Sequence, residues 1–106
     1  MRLQTRIIKD ILSAEYPACK IGVRFVPARQ YVDGSDKLVV TVYGASYQAV
    51  FDTLTRYTRG IKIFPKCMIV SCGGLCRPEA MNIHTKQWVD FDLCEFLELE
   101  VIENGR

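Results

Sequence analysis

Three cysteines, Cys67, Cys72 and Cys76, form the densest group of reactive side chains in the chain, with Cys94 and His84 as candidate fourth members. Thiolates and a neutral imidazole are the ligands zinc prefers, and four of them at tetrahedral distances would fold a stretch that is otherwise poorly defined. Gly73-Gly74 would let the backbone turn around such a metal. The spacing is C-x₄-C-x₃-C, however, without the paired C-x₂-C knuckles that make a zinc motif persuasive. Free cysteine also serves as a small buried hydrophobe. The reading is therefore buried thiols with no metal and no other cofactor, a zinc-stabilised module being the alternative.

Catalytic chemistry finds little support. His84 is the single histidine and lies in a polar context. Asp90-Phe91-Asp92 sets two carboxylates on one side of a strand. Such a pair could hold a divalent cation, but a solvated pair flanking Phe91 is the simpler reading. No nucleophile elbow is present, and Gly73-Gly74 lacks the Lys-Ser/Thr that a phosphate loop requires. The expectation is a protein that is not an enzyme.

Binding is easier to argue. Lys20, Arg24, Val39, Thr41 and Tyr43 fall on one face of a strand pair, and the loop beside it carries Arg29, Gln30 and Tyr31. Cations mixed with aromatics on a sheet face could stack bases and neutralise phosphates. Arg and Tyr are equally the residues that dominate protein interfaces. The candidate partner-binding residues are Lys20, Arg24, Arg29, Tyr31 and Lys37. The competing structural explanation is that the last third of the chain packs over this face.

These residues are positioned by a segment from Cys19 to Tyr43. Cys19, Ile21, Val23 and Phe25 alternate with Lys20, Gly22, Arg24 and Val26; then Leu38, Val40 and Val42 alternate with Lys37, Val39, Thr41 and Tyr43. A period of two with β-branched residues predicts two strands buried on one side, and Asp33-Gly34 supplies turn chemistry between them. Before the pair, Leu3, Ile7, Ile8, Ile11 and Leu12 recur at helical spacing, and Pro17 predicts a stop near Tyr16. After it, Ser46 is a plausible N-cap for a helix with Tyr47, Val50, Phe51, Leu54 and Tyr57 on its core face, ended by Gly60 at C′.

Beyond Gly60 the pattern weakens. Ile61–Phe64 reads as a short strand cut by Pro65, hence an edge or an end. Cys67–Ser71 reads as another strand, and Met81–His84 with Trp88–Phe91 as a hairpin around Thr85-Lys86-Gln87. For Leu93–Ile102 two patterns compete. Asp92 with Glu95 resembles a capping box, and Leu93, Phe96, Leu97 and Val101 share a helical face, yet Leu97, Leu99 and Val101 also alternate with Glu98 and Glu100. The helix is the favoured reading.

At 106 residues, 49% hydrophobic and 25% charged, the chain is expected to be one domain with a core that needs no disulfide staples. Residues 1–60 form its αββα core and 61–106 a C-terminal extension. A net charge of +2 is too small to argue for nucleic acid, but the distribution is uneven. Most Lys and Arg lie in residues 1–66, whereas Asp90, Asp92, Glu95, Glu98, Glu100 and Glu103 follow one another with no base among them. The start lacks the apolar core of a signal peptide, and no run approaches the ~20 apolar residues of a membrane helix. Five cysteines, an odd number, suit a reducing compartment. A cytoplasmic protein with no membrane contact is expected.

The run from Arg6 to Gly60 resembles a small αββα domain associated with large polyvalent proteins of phages and conjugative elements. The residues that carry the resemblance are Ile7-Ile8-Lys9-Asp10-Ile11-Leu12, then Tyr16-Pro17-Ala18-Cys19-Lys20-Ile21-Gly22-Val23-Arg24, then Asp36-Lys37-Leu38-Val39-Val40-Thr41-Val42. They cover about half the chain, and the pattern does not extend past Ile61. A freestanding copy of this size is similar in kind to phage-encoded inhibitors of host defence, anti-CRISPR proteins included. The resemblance implies a compact, non-enzymatic protein that occupies an effector or nucleic-acid surface, and it carries over no catalytic residues. The fold expected is α+β, a small antiparallel sheet under two helices. The function expected is inhibition of a host defence complex such as a Cas effector, with a nucleic-acid-binding accessory protein as the alternative.

Overall fold

The computed structural model describes residues 3–27, 37–66, 77–91 and 96–103. Among these, two helices and seven strands make a mixed α+β fold. The first helix, α1 (Leu3–Glu15), forms because Ile7, Ile8, Ile11 and Leu12 fall on one stripe, and all four are buried together with Thr5. Leu3, which shares the spacing, lies outside the core at 55% exposure. The Tyr16 N–H donates to the Leu12 carbonyl at 2.8 Å, and the chain leaves the helix before Pro17 as the sequence predicts.

Strand β1 (Lys20–Val26) pairs antiparallel with β2 (Lys37–Tyr43), from Lys20 opposite Tyr43 to Val26 opposite Lys37. Leu38, Val40 and Val42 are fully buried, and Ile21, Val23 and Phe25 pack half-buried against the same core. Helix α2 (Tyr47–Arg56) starts at Ser46, whose side chain accepts from the Ala49 N–H. It ends earlier than Gly60 suggests. Tyr57 is the C-cap, and the Leu54 carbonyl accepts from both the Tyr57 N–H and the Thr58 hydroxyl at 2.7 Å. A hydroxyl thus does the work expected of a C′ glycine, and Gly60 takes its positive φ of 67° later, past the strand β3 (Thr58–Arg59).

The remaining strands are β4 (Lys62–Pro65), β5 (Glu79–Asn82), β6 (Gln87–Asp90) and β7 (Phe96–Ile102). Segment 96–102 is therefore a strand and not the helix favoured from sequence; the residues of the apparent capping box, Asp92 and Glu95, lie outside the described residues. Leu97 and Leu99 point into the core, at 0% and 1% exposure, so the period-two pattern wins over the helical one. Strand β7 sits between β2 and β4, parallel to both, and the sheet order is β1-β2-β7-β4. The sheet thus extends the predicted antiparallel pair with two parallel partners from beyond Gly60. Interior placement explains β2, whose Leu38, Val39 and Val40 are all buried in the manner of a parallel-sheet strand. Among the described residues β4 is an edge strand, in line with Pro65.

A second sheet, β3-β5-β6, holds the predicted hairpin. Its turn closes on Asn82, whose side-chain oxygen accepts from the His84 and Thr85 N–H groups, while Lys86 adopts φ 62°. Ala80 and Phe91 join the main core, so the small sheet is welded to the larger assembly. The two helices are tied at their ends by Tyr16, whose hydroxyl meets Thr53 Oγ1 at 2.8 Å. Because Thr53 gives its own proton to the Ala49 carbonyl, Tyr16 is the donor. Among the described residues no helix is long and apolar enough to cross a membrane.

Candidate partner-binding surfaces

The face of the larger sheet turned away from the core is set by strand register. Arg24, Val39 and Glu98 lie in one row across β1, β2 and β7; Gly22, Thr41 and Glu100 lie in the next; Lys20, Tyr43 and Ile102 follow. Of the five residues expected to form a contact patch, Lys20 and Arg24 are exposed on β1, with Lys20 Nζ 5.9 Å from the centre of the Tyr43 ring. Lys37 is on the same face but only 5% exposed, so its ammonium is not a surface group. Arg29 and Tyr31 lie outside the described residues, as do Cys67, Cys72, Cys76 and Cys94. His84, the remaining candidate zinc ligand, is exposed on the hairpin turn with Nε2 3.5 Å from Asp10 Oδ2.

Among the described residues, the strand-borne acids of the segment from Asp90 to Glu103 are divided between the two sheets. Glu98 and Glu100 stand on the same sheet face as Lys20 and Arg24, and Glu100 is ion-paired with Lys66. Two strand spacings place Arg24 and Glu98 roughly 10 Å apart, somewhat more than the ~8 Å Debye length of physiological salt. This sheet face is therefore of mixed charge, basic on β1 and acidic on β7. Asp90 belongs instead to the second sheet, opposite Glu79.

A second patch joins residues far apart in sequence. Register places Arg59 opposite Glu79, and Met81 opposite Trp88. The Arg59 guanidinium lies 3.7 Å from the centre of the Trp88 ring, with Glu79 Oε2 3.9 Å from its Nη1. One turn away, the Arg56 guanidinium lies 5.7 Å from the Tyr57 ring, and the Tyr57 hydroxyl donates to Glu15 Oε1 at 3.0 Å. Two cation–ring pairs thus follow one another along the chain, Arg56 with Tyr57 at the end of α2 and Arg59 of β3 with Trp88 of β6. The sequence pattern runs the second helix on to Gly60, so that Arg59 falls within it, and puts Trp88 in a hairpin, with nothing to connect the two.

The bond to Glu15, then that carboxylate's charge, raises the Tyr57 pKa above the ordinary tyrosine value, with Arg56 opposing. Since the folded state favours the neutral phenol, the contact stabilises fully below the unfolded pKa of about 10 and is lost as pH rises through the folded value. Glu15→Gln is expected to lower the Tyr57 pKa, and an NMR titration of the Tyr57 ring checks this; an unchanged or higher value means that Glu15 does not govern it.

No protein-family model, curated protein or solved structure matches the chain.

Proposed function

We propose that the chain is a non-enzymatic binding protein of a mobile element that acts in the host cytosol by occupying a surface of a defence complex, a CRISPR–Cas effector being the first to test. The observation that supports this most is the stack of exposed Arg59 on the half-buried Trp88 ring, with the Arg56–Tyr57 pair just before it in the chain. Tryptophan, tyrosine and arginine are the residues that most often dominate binding energy at protein interfaces. A stacked guanidinium is held by the ring face while its in-plane N–H groups suit carboxylates or phosphates. The choice of a defence complex comes from the resemblance of residues 6–60.

The test is a plaque assay in a host whose CRISPR–Cas system targets the infecting phage. Expression of the chain is expected to restore plaques by orders of magnitude, and purified chain to co-elute with the effector. Unchanged plaque counts across the effector types tested would remove the inhibitor reading.

A nucleic-acid-binding role is the second reading, favoured by Lys20, Arg24 and Tyr43 on one sheet face and opposed by Glu98 and Glu100 beside them. Direct binding to DNA or RNA that weakens steeply with salt, lost on Arg24→Glu, would favour it over a protein partner.

A further inference from the structure

Strand β1 is an outer strand of the four-stranded sheet, and among the described residues no other strand pairs with its far side. A seven-residue edge is long enough to recruit another strand, and proteins commonly block such edges with charge. Here the charges are Lys20 and Arg24, separated by Gly22, over which a Cβ would meet nothing within 4 Å. They exclude some pairings and leave one open.

We propose that β1 pairs antiparallel with β1 of a second copy of this chain, about a two-fold axis through Val23. Registers displaced by one residue set the apolar row of one copy beside the polar row of the other and are rejected by the pleat. Displacement by two residues in one direction puts Lys20 opposite Arg24 of the second copy; in the other direction it puts Arg24 opposite Arg24. Like charges directly opposite destabilise a ladder. With Val23 opposite Val23, Ile21 meets Phe25 and Lys20 meets Val26 of the second copy. Arg24 then lies over the open space at Gly22. Ile21 and Val23, left half-buried at the margin of the core, gain an apolar neighbour on the same face. Such an interface is isologous and closed, so it ends at a dimer.

Sedimentation velocity across a wide concentration range, on the full chain and two Gly22 variants, tests this. In the proposed register position 22 faces Arg24 of the second copy twice per dimer. Gly22→Glu is therefore expected to tighten the dimer and Gly22→Arg to weaken it, a separation of roughly tenfold in Kd between them. Both add a side chain into open space, so the difference isolates charge. If either variant does not fold, amide hydrogen exchange of the unaltered chain decides: Gly22–Arg24 amides should gain protection with concentration. A monomer throughout, equal dimerisation of the two variants, or exchange independent of concentration would overturn the proposal. The plaque assay reads the inhibitor role separately, since a dimer without inhibition and inhibition by a monomer are both distinguishable results.

Discussion

Leu99→Ala is expected to destabilise the protein by about 2–5 kcal/mol, the cost of emptying a fully packed leucine site. Total stability for a chain of this size is about 5–15 kcal/mol, so the melting temperature should fall by more than about 10 °C. The substitution is chosen because it separates two readings of the same residues. On a helix whose buried face held Leu93, Phe96, Leu97 and Val101, Leu99 would lie off the core stripe and its loss would be mild. In β7 it is 1% exposed, in register with Val40 on one side and Pro65 on the other. Leu3→Ala, at a leucine 55% exposed, is the reference and should change stability by no more than about 0.5 kcal/mol. Thermal and urea melts of the two variants give the comparison directly. Equal, small effects would mean that the final third does not build the centre of the sheet.

The contrast between Leu99 and the first helix shows what a local pattern can convey. Ile7, Ile8, Ile11 and Leu12 belong to an uninterrupted stripe ended by Tyr16-Pro17, and nothing distant was needed to read it. The same holds for Leu38, Val40 and Val42, and for Ser46 at the start of α2. Strand β7 was ambiguous because seven residues offer few turns over which periods of 2 and 3.6 diverge. Its parallel neighbours, β2 and β4, are non-local, so no turn residue announces the pairing. Alternation also fails to say whether an outer face is wet. Lys37 and Val39 fall on the polar side of the pattern yet are 5% and 7% exposed. The Arg59–Trp88 contact lies deeper still, since it exists only once β5 has brought β3 and β6 into one sheet. A lone tryptophan beside a hairpin turn was the one available signal.

Trp88→Ala is expected to cost the proposed inhibitor at least about 2 kcal/mol of partner affinity, roughly a 30-fold rise in Kd, as truncating a central interface aromatic does. Arg59→Ala should cost a comparable amount if the two act as one unit, and the double variant then much less than the sum. The stack itself contributes about 0.5–2 kcal/mol depending on how far the partner desolvates it. Conservative changes divide packing from electrostatics. Trp88→Phe retains apolar area with a weaker ring face, and Arg59→Lys keeps the charge but loses the planar stack, so both should fall between the parent and the alanine variants. Fold integrity is read independently, because the inward face of this sheet is built by Ala80 and Val89 and not by Trp88. A Trp88→Ala protein that melts near the parent temperature yet no longer restores plaques would place the interface on β3 and β6. Full potency in that variant would return attention to Lys20 and Arg24, where Arg24→Glu is then the change that must abolish activity if either described surface meets the partner.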